Sequence, residues 1–128
     1  MDEETTIAKN NYDKLKQDVE NLTIIVYGVE NSNTDDRIGG IENYLAAINN
    51  ELSDEDEAEA KKILNRFKTE YPQYIDSFKG VTDIYVAMSI LNNLYFREKD
   101  RLESLQRDLD EAKDKYEKLN TEWTENYY

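Results

Sequence analysis

The last third of this chain restricts its fold more than any other part. From Val81 the apolar positions run Val81, Ile84, Met88, Leu91, Tyr95, Leu102, Leu105, Leu109, Ala112, Tyr116, Leu119 and Trp123, in alternating steps of three and four, with Glu98 as the one polar break. This is the a/d seam of a long coiled-coil helix, and no proline or glycine interrupts it after Gly80. A seam of this kind has to bury against another helix. The chain is therefore predicted to be all-α.

The partner is predicted from the other end of the chain. Residues 3 to 27 read as a helix with the seam Ala8, Tyr12, Leu15, Val19, Leu22 and Val26. Asp2, Glu3 and Glu4 sit at its positive dipole end and Gly28 at its stop. The stretch from Leu22 to Tyr27 is β-branched enough for a strand, but the seam passes through it unbroken and favours helix. Reversed against residues 98 to 123, this first helix sets Ala8 opposite Tyr116, Tyr12 opposite Ala112, Leu15 opposite Leu109, Val19 opposite Leu105, Leu22 opposite Leu102 and Val26 opposite Glu98. That register alternates small and large side chains and predicts an antiparallel two-helix stalk. Pairing of the same seams between two copies, a homo-oligomer, is the competing arrangement.

Between the stalk helices the pattern predicts a small helical head over residues 28 to 97, within one domain of 128 residues. Residues 28 to 36 are rich in Gly, Asn, Ser and Asp and read as a loop. A second helix is predicted from Asp36 to Asn50 with Ile38, Ile41, Leu45, Ile48 and Leu52 on its inner face. Gly39 and Gly40 weaken its first turn by about 1 kcal/mol each. Ser53 is the predicted N-cap of a third helix, followed by the acids Asp54, Glu55, Asp56 and Glu57, with Ala60, Ile63, Leu64 and Phe67 facing inward. Pro72 ends that helix, and Tyr74, Ile75 and Phe78 ride on a short turn before Gly80. The fourth helix then runs from Val81 to Asn126. Its first half carries Tyr85, Ala87, Ile90, Leu94 and Phe96 beyond the seam, so it needs partners on more than one side.

Composition narrows the chemistry. There is no cysteine and no histidine, which removes disulfides, thiolate metal sites, the usual general base and the Ser-His and Cys-His nucleophile pairs. No catalytic residue, cofactor or enzymatic activity is expected. The net charge of -13 argues against direct contact with nucleic-acid phosphates or anionic membranes and allows basic protein partners. No apolar run approaches the roughly 20 residues that span a bilayer, and Asp2-Glu3-Glu4 is unlike the start of a signal peptide. A cytoplasmic or virion location without signal-peptide export is expected.

Three features are candidate sites. Asn31, Asn33, Asp35 and Glu42 fall at positions one, three, five and twelve of an EF-hand-like register with Ile38 at eight, but Asp36 stands where the turn needs glycine. This makes a poor calcium loop, and an Asx-rich turn explains the same residues. The acidic run Glu51 to Glu59 could imitate a phosphate backbone, although pairs such as Glu57-Lys61 and Glu111-Lys115 are ordinary for a solvated helix. Ten tyrosines form the third feature. Tyr44, Tyr71, Tyr74 and Tyr95 read as residues at the edge of the core. Tyr127 and Tyr128 have no internal role and suggest an interface or a frayed end.

The expected function is that of a non-enzymatic structural, assembly or adaptor protein, such as a connector or accessory protein of a phage or other virion. Its contacts are expected through Tyr95, Leu102, Leu105, Leu109, Tyr116, Leu119, Trp123, Tyr127 and Tyr128. The alternative is an acidic inhibitor that blocks the basic cleft of a nucleic-acid enzyme.

Overall fold

A computed structural model describes residues 2–30 and 37–127, and the side chains of 37 and 122–127 lie outside that description. The element order is α1 (Glu3–Tyr27), β1 (Val29–Glu30), β2 (Arg37–Ile38), α2 (Ile41–Ser53), α3 (Glu57–Glu70), a 3-10 helix (Pro72–Phe78) and α4 (Ile84–Tyr127). The fold is all-α, and α4 packs against α1. The chain divides into two compact units, one of Met1–Leu22 with Asp100–Tyr128 and one of Thr23–Lys99.

The first unit is an antiparallel helix pair. Thr5, Ala8, Leu22, Leu102 and Ala112 are buried, while Tyr12, Leu15, Val19, Leu105, Leu109, Tyr116 and Leu119 are half-buried along the seam. The Tyr12 and Tyr116 rings stack with centroids 6.1 Å apart and planes 13° from parallel. Tyr116 therefore meets Tyr12 directly, where the sequence register set it against Ala8 and set Tyr12 against Ala112. The side chains are long enough to reach across a layer, and offset stacking rewards them for it. Asp2 caps α1, its Oδ1 accepting the Thr5 N–H at 2.7 Å, and this bond holds the carboxyl below its ordinary pKa. Lys9–Asp13 and Lys14–Asp18 pair along the outside at 2.8 and 3.0 Å, and such exposed pairs add little stability.

The second unit has a core centred on Phe67, whose ring lies 5.3 Å from Tyr44, 5.2 Å from Tyr71, 6.1 Å from Tyr74 and 6.0 Å from Phe78. Ile41 and Ile48 from α2 join Ala60, Ile63 and Leu64 from α3, and Ile84, Ala87, Leu91 and Leu94 from α4. Ile41, Ile48, Ala60, Ile63, Leu64, Phe67, Ile84 and Leu91 lie on the predicted inward faces, whereas Ala87 and Leu94, read as lying beyond the α4 seam, are buried and the seam residues Met88 and Tyr95 are half-buried. Tyr71 and Tyr74 are buried within the core, whereas Tyr44 and Tyr95 stay at its edge.

Several expectations about the helix ends are corrected. The segment predicted as a loop after Gly28 contributes β1, which pairs antiparallel with β2 through Val29–Ile38 and Glu30–Arg37. The second helix starts at Ile41 and not at Asp36. Gly39 and Gly40 have φ of 71° and 87°, values that cannot enter a right-handed helix. The glycine pair thus sets where the helix begins and does not weaken its first turn. Gly40 packs so closely on the backbone of Tyr27 and Gly28 that any side chain there would clash. Its N–H donates to the Tyr71 hydroxyl at 2.7 Å, and the Asn43 amide donates to the Gly39 carbonyl at 2.6 Å. Ile38, displaced from the predicted helix, is exposed on β2.

Ser53 closes α2 and does not cap α3: its hydroxyl donates to the Asn49 carbonyl at 2.9 Å. Asp56 is the cap, its Oδ1 accepting the Glu59 N–H at 3.1 Å. Ile75 faces solvent on the 3-10 helix, while Tyr74 and Phe78 turn inward. Val81 precedes α4, which begins after Asp83. The Asp83 Oδ1 accepts the Tyr85 N–H at 2.8 Å.

Candidate interaction surface

The seam positions put forward for contact are occupied within the first unit. Leu102 is buried, and Leu105, Leu109, Tyr116 and Leu119 are half-buried where α1 and α4 pack together. Trp123 and Tyr127 have side chains outside the described residues, as does the whole of Tyr128. Tyr95 lies in the second unit with its ring 5.3 Å from Phe96, edge to face, and the Lys99 ammonium 5.8 Å from its centroid. Burial pushes the Tyr95 hydroxyl above its ordinary pKa.

Apolar side chains left open in the second unit include Ile24, Val29, Ile38 and Ile75 as well as three on α4. Tyr85, Val86 and Phe96 on α4 are 57%, 49% and 52% exposed. Eleven residues separate Tyr85 from Phe96, three helical turns, so the two share one face of α4. Their neighbours Ala87 and Leu94 are buried in the core. The excess apolar residues of this half-helix therefore divide, one part used inside the fold and the other facing solvent. Sequence periodicity flagged the excess without showing which residues would remain open.

A second open feature is a groove between α2 and α3, formed by two adjoining recesses of about 490 and 270 Å³ that share Tyr44 and Arg66. The Tyr44 ring, Ala47 and Ile63 make its apolar lining, and Lys62, Asn65 and Thr69 its polar edge. The Tyr44 hydroxyl donates to the Glu70 carboxylate. Burial, reinforced by that carboxylate, raises the Tyr44 pKa well above the ordinary phenol value. Lys62 and Arg66 reach Glu59 only at 3.9 Å, with their side chains 75% and 66% exposed. Nothing in the sequence singled out this groove, since its two sides come from different helices and the residue types are common on any helix surface.

The acidic run turns the corner from α2 to α3. Asp54, Glu55, Asp56 and Glu57 are exposed, and Glu55 adopts a φ of 61°. Glu55, Asp56 and Glu57 line a recess of about 620 Å³ with Ala58 and Tyr85. Of the calcium register, Asn31, Asn33 and Asp35 lie outside the described residues, and Glu42 stands exposed in the first turn of α2. Among the described residues no group of three or more Asp or Glu side chains is placed to hold a metal ion. Among the same residues no helix is long and apolar enough to cross a membrane.

Glu98 is the least expected polar feature. It is 5% exposed, its Oε2 accepts the Tyr74 hydroxyl at 3.1 Å, and its Oε1 accepts the Arg97 Nε–H at 3.3 Å. Lys99 and Arg101 are its cationic neighbours further along α4. The structure adds a tyrosine from the 3-10 helix, which no spacing along α4 could have indicated.

No family model matches the chain, and comparison with characterised proteins and with solved structures gives no significant match.

Proposed function

We propose that this chain is a non-enzymatic assembly or adaptor protein whose second unit meets other proteins. The observation that carries the reading is the open face of α4. Tyr85, Val86 and Phe96 are large apolar side chains left in water beside a well-filled core, in a chain whose charge otherwise favours solvent. Aromatic residues in such positions supply much of the energy of protein interfaces. The absence of Cys and His from the sequence supports a role without Ser-His or Cys-His nucleophile pairs or thiolate metal sites. Composition extends the proposal to a phage or other virion component, as a connector or accessory protein.

The experiment is capture of partners from the native source on the tagged chain, washed at increasing ionic strength. A contact built on Tyr85 and Phe96 survives the salt and is lost in the Tyr85→Ser, Phe96→Ser variant. A complex that weakens steeply with salt, contains a nucleic-acid enzyme and is displaced by DNA overturns the reading in favour of the acidic inhibitor.

A further inference from the structure

We infer that the groove between α2 and α3 receives an acidic segment of a partner protein, anchored by an apolar side chain. The inference rests on the reading that the chain works through protein contacts, and it adds a second surface with its own chemistry. The chain as a whole carries -13, yet Lys62 and Arg66 stand one helical turn apart on α3 and line the same recess. Both are mostly exposed, and Glu59 touches each only at 3.9 Å. Two cations so loosely held are available to an incoming carboxylate, and a guanidinium can bind one through two parallel N–H bonds.

Glu70, one helical turn beyond Arg66 on α3, lines the same recess. Glu70 accepts the Tyr44 hydroxyl, which commits that carboxylate to the Tyr44 side of the recess. The Tyr44 ring lines both recesses and Ala47 lines the smaller one beside Arg66, so the cations border an apolar surface. The larger recess, about 490 Å³, is broadly open to solvent. It suits one or two side chains of a docked segment. A helix carrying Asp or Glu at i and i+4 with Leu, Ile or Phe on the same face matches both features at once.

The test is selection of binders to the intact chain from a display library of random helix-forming peptides, followed by anisotropy titration of the consensus peptide. The expected consensus sets acids and large apolar residues on one helical face. The Lys62→Glu, Arg66→Glu variant, whose changes are at exposed positions, should raise Kd by on the order of tenfold or more. The Ala47→Arg variant, checked by circular dichroism for an intact fold, should do the same, and Gln106→Ala, at an exposed position of the first unit, should leave Kd unchanged. A basic consensus, an unaltered Kd after the charge reversal, or a library that yields no binder overturns the groove assignment. Self-association of the chain that Lys62→Glu, Arg66→Glu abolishes also overturns it, by giving the groove to a second copy. If selected peptides respond to Tyr85 and Phe96 but not to Lys62 and Arg66, the groove fails while the contact function stands.

Discussion

Glu98 shows how a residue that breaks a sequence pattern can still belong to the fold. By seam logic, leucine at this position should stabilise the helix, because a carboxylate in an apolar stripe pays for its desolvation. The structure reverses that expectation, since Tyr74 is itself buried and donates to the carboxylate. Glu98→Leu leaves the phenol hydroxyl without that acceptor and should lower stability by about 1–2 kcal/mol. Tyr74→Phe should lower it by a similar amount. In a denaturant melt the double variant should lose clearly less than the sum of the two, with coupling of about 1 kcal/mol. Additive losses would show that the pair does not act as a unit.

The tyrosines make a second prediction at this scale. Burial is the largest cause raising the pKa of Tyr44, Tyr71 and Tyr95. A folded pKa above the unfolded value of about 10 means that the folded state holds its phenol protons longer. The associated stability is complete below that pH and is lost as pH rises toward the folded values. Phenolate absorbance should therefore show a group of tyrosines ionising late, together with loss of helix. Tyr44→Phe should remove one late proton and flatten the alkaline decline in stability.

Among the elements, the helices were legible and their ends were not. Long seams in α1 and α4 and the inward faces of α2 and α3 repeat many times, so tertiary context has little room to override them. A cap is a single residue, and the corner between α2 and α3 offers several good candidates. Ser53 was the natural choice by residue type, yet Asp56 holds the cap because Glu55 turns the chain with a positive φ before α3 begins. Asp56→Ala should cost about 1 kcal/mol in a thermal melt, with Ser53→Ala near zero. Equal effects would contradict the assignment.

The glycine pair makes the same point more sharply. Gly39 and Gly40 look like poor helix residues because they lie outside the helix, at a close approach of two backbones that sequence spacing does not reveal. Gly40→Ala should cost about 2–3 kcal/mol, combining an unfavourable φ with a clash against the Tyr27–Gly28 backbone. A variant as stable as the parent would mean that α2 starts in some other way. The two strands, at two residues each, are too short to leave a periodic signal. The groove between α2 and α3 was hidden for a related reason: Tyr44 and Arg66 become neighbours only after two helices pack.

In the whole molecule, α1 and α4 pair within one chain. If the α4 seam met another copy instead, the residues counted here as occupied would form the interface, and the open face of α4 would belong to a different assembly. The chain has no native cysteine, so two introduced thiols can report the pairing without interference. Tyr12 and Tyr116 are the right positions, since their rings stack 6.1 Å apart. The measurement is the mass of the product when Tyr12→Cys, Tyr116→Cys protein is treated at high dilution with a short thiol-to-thiol crosslinker. The account predicts a covalently closed monomer, with each single-cysteine variant unlinked, and a covalent dimer as the only product would contradict it.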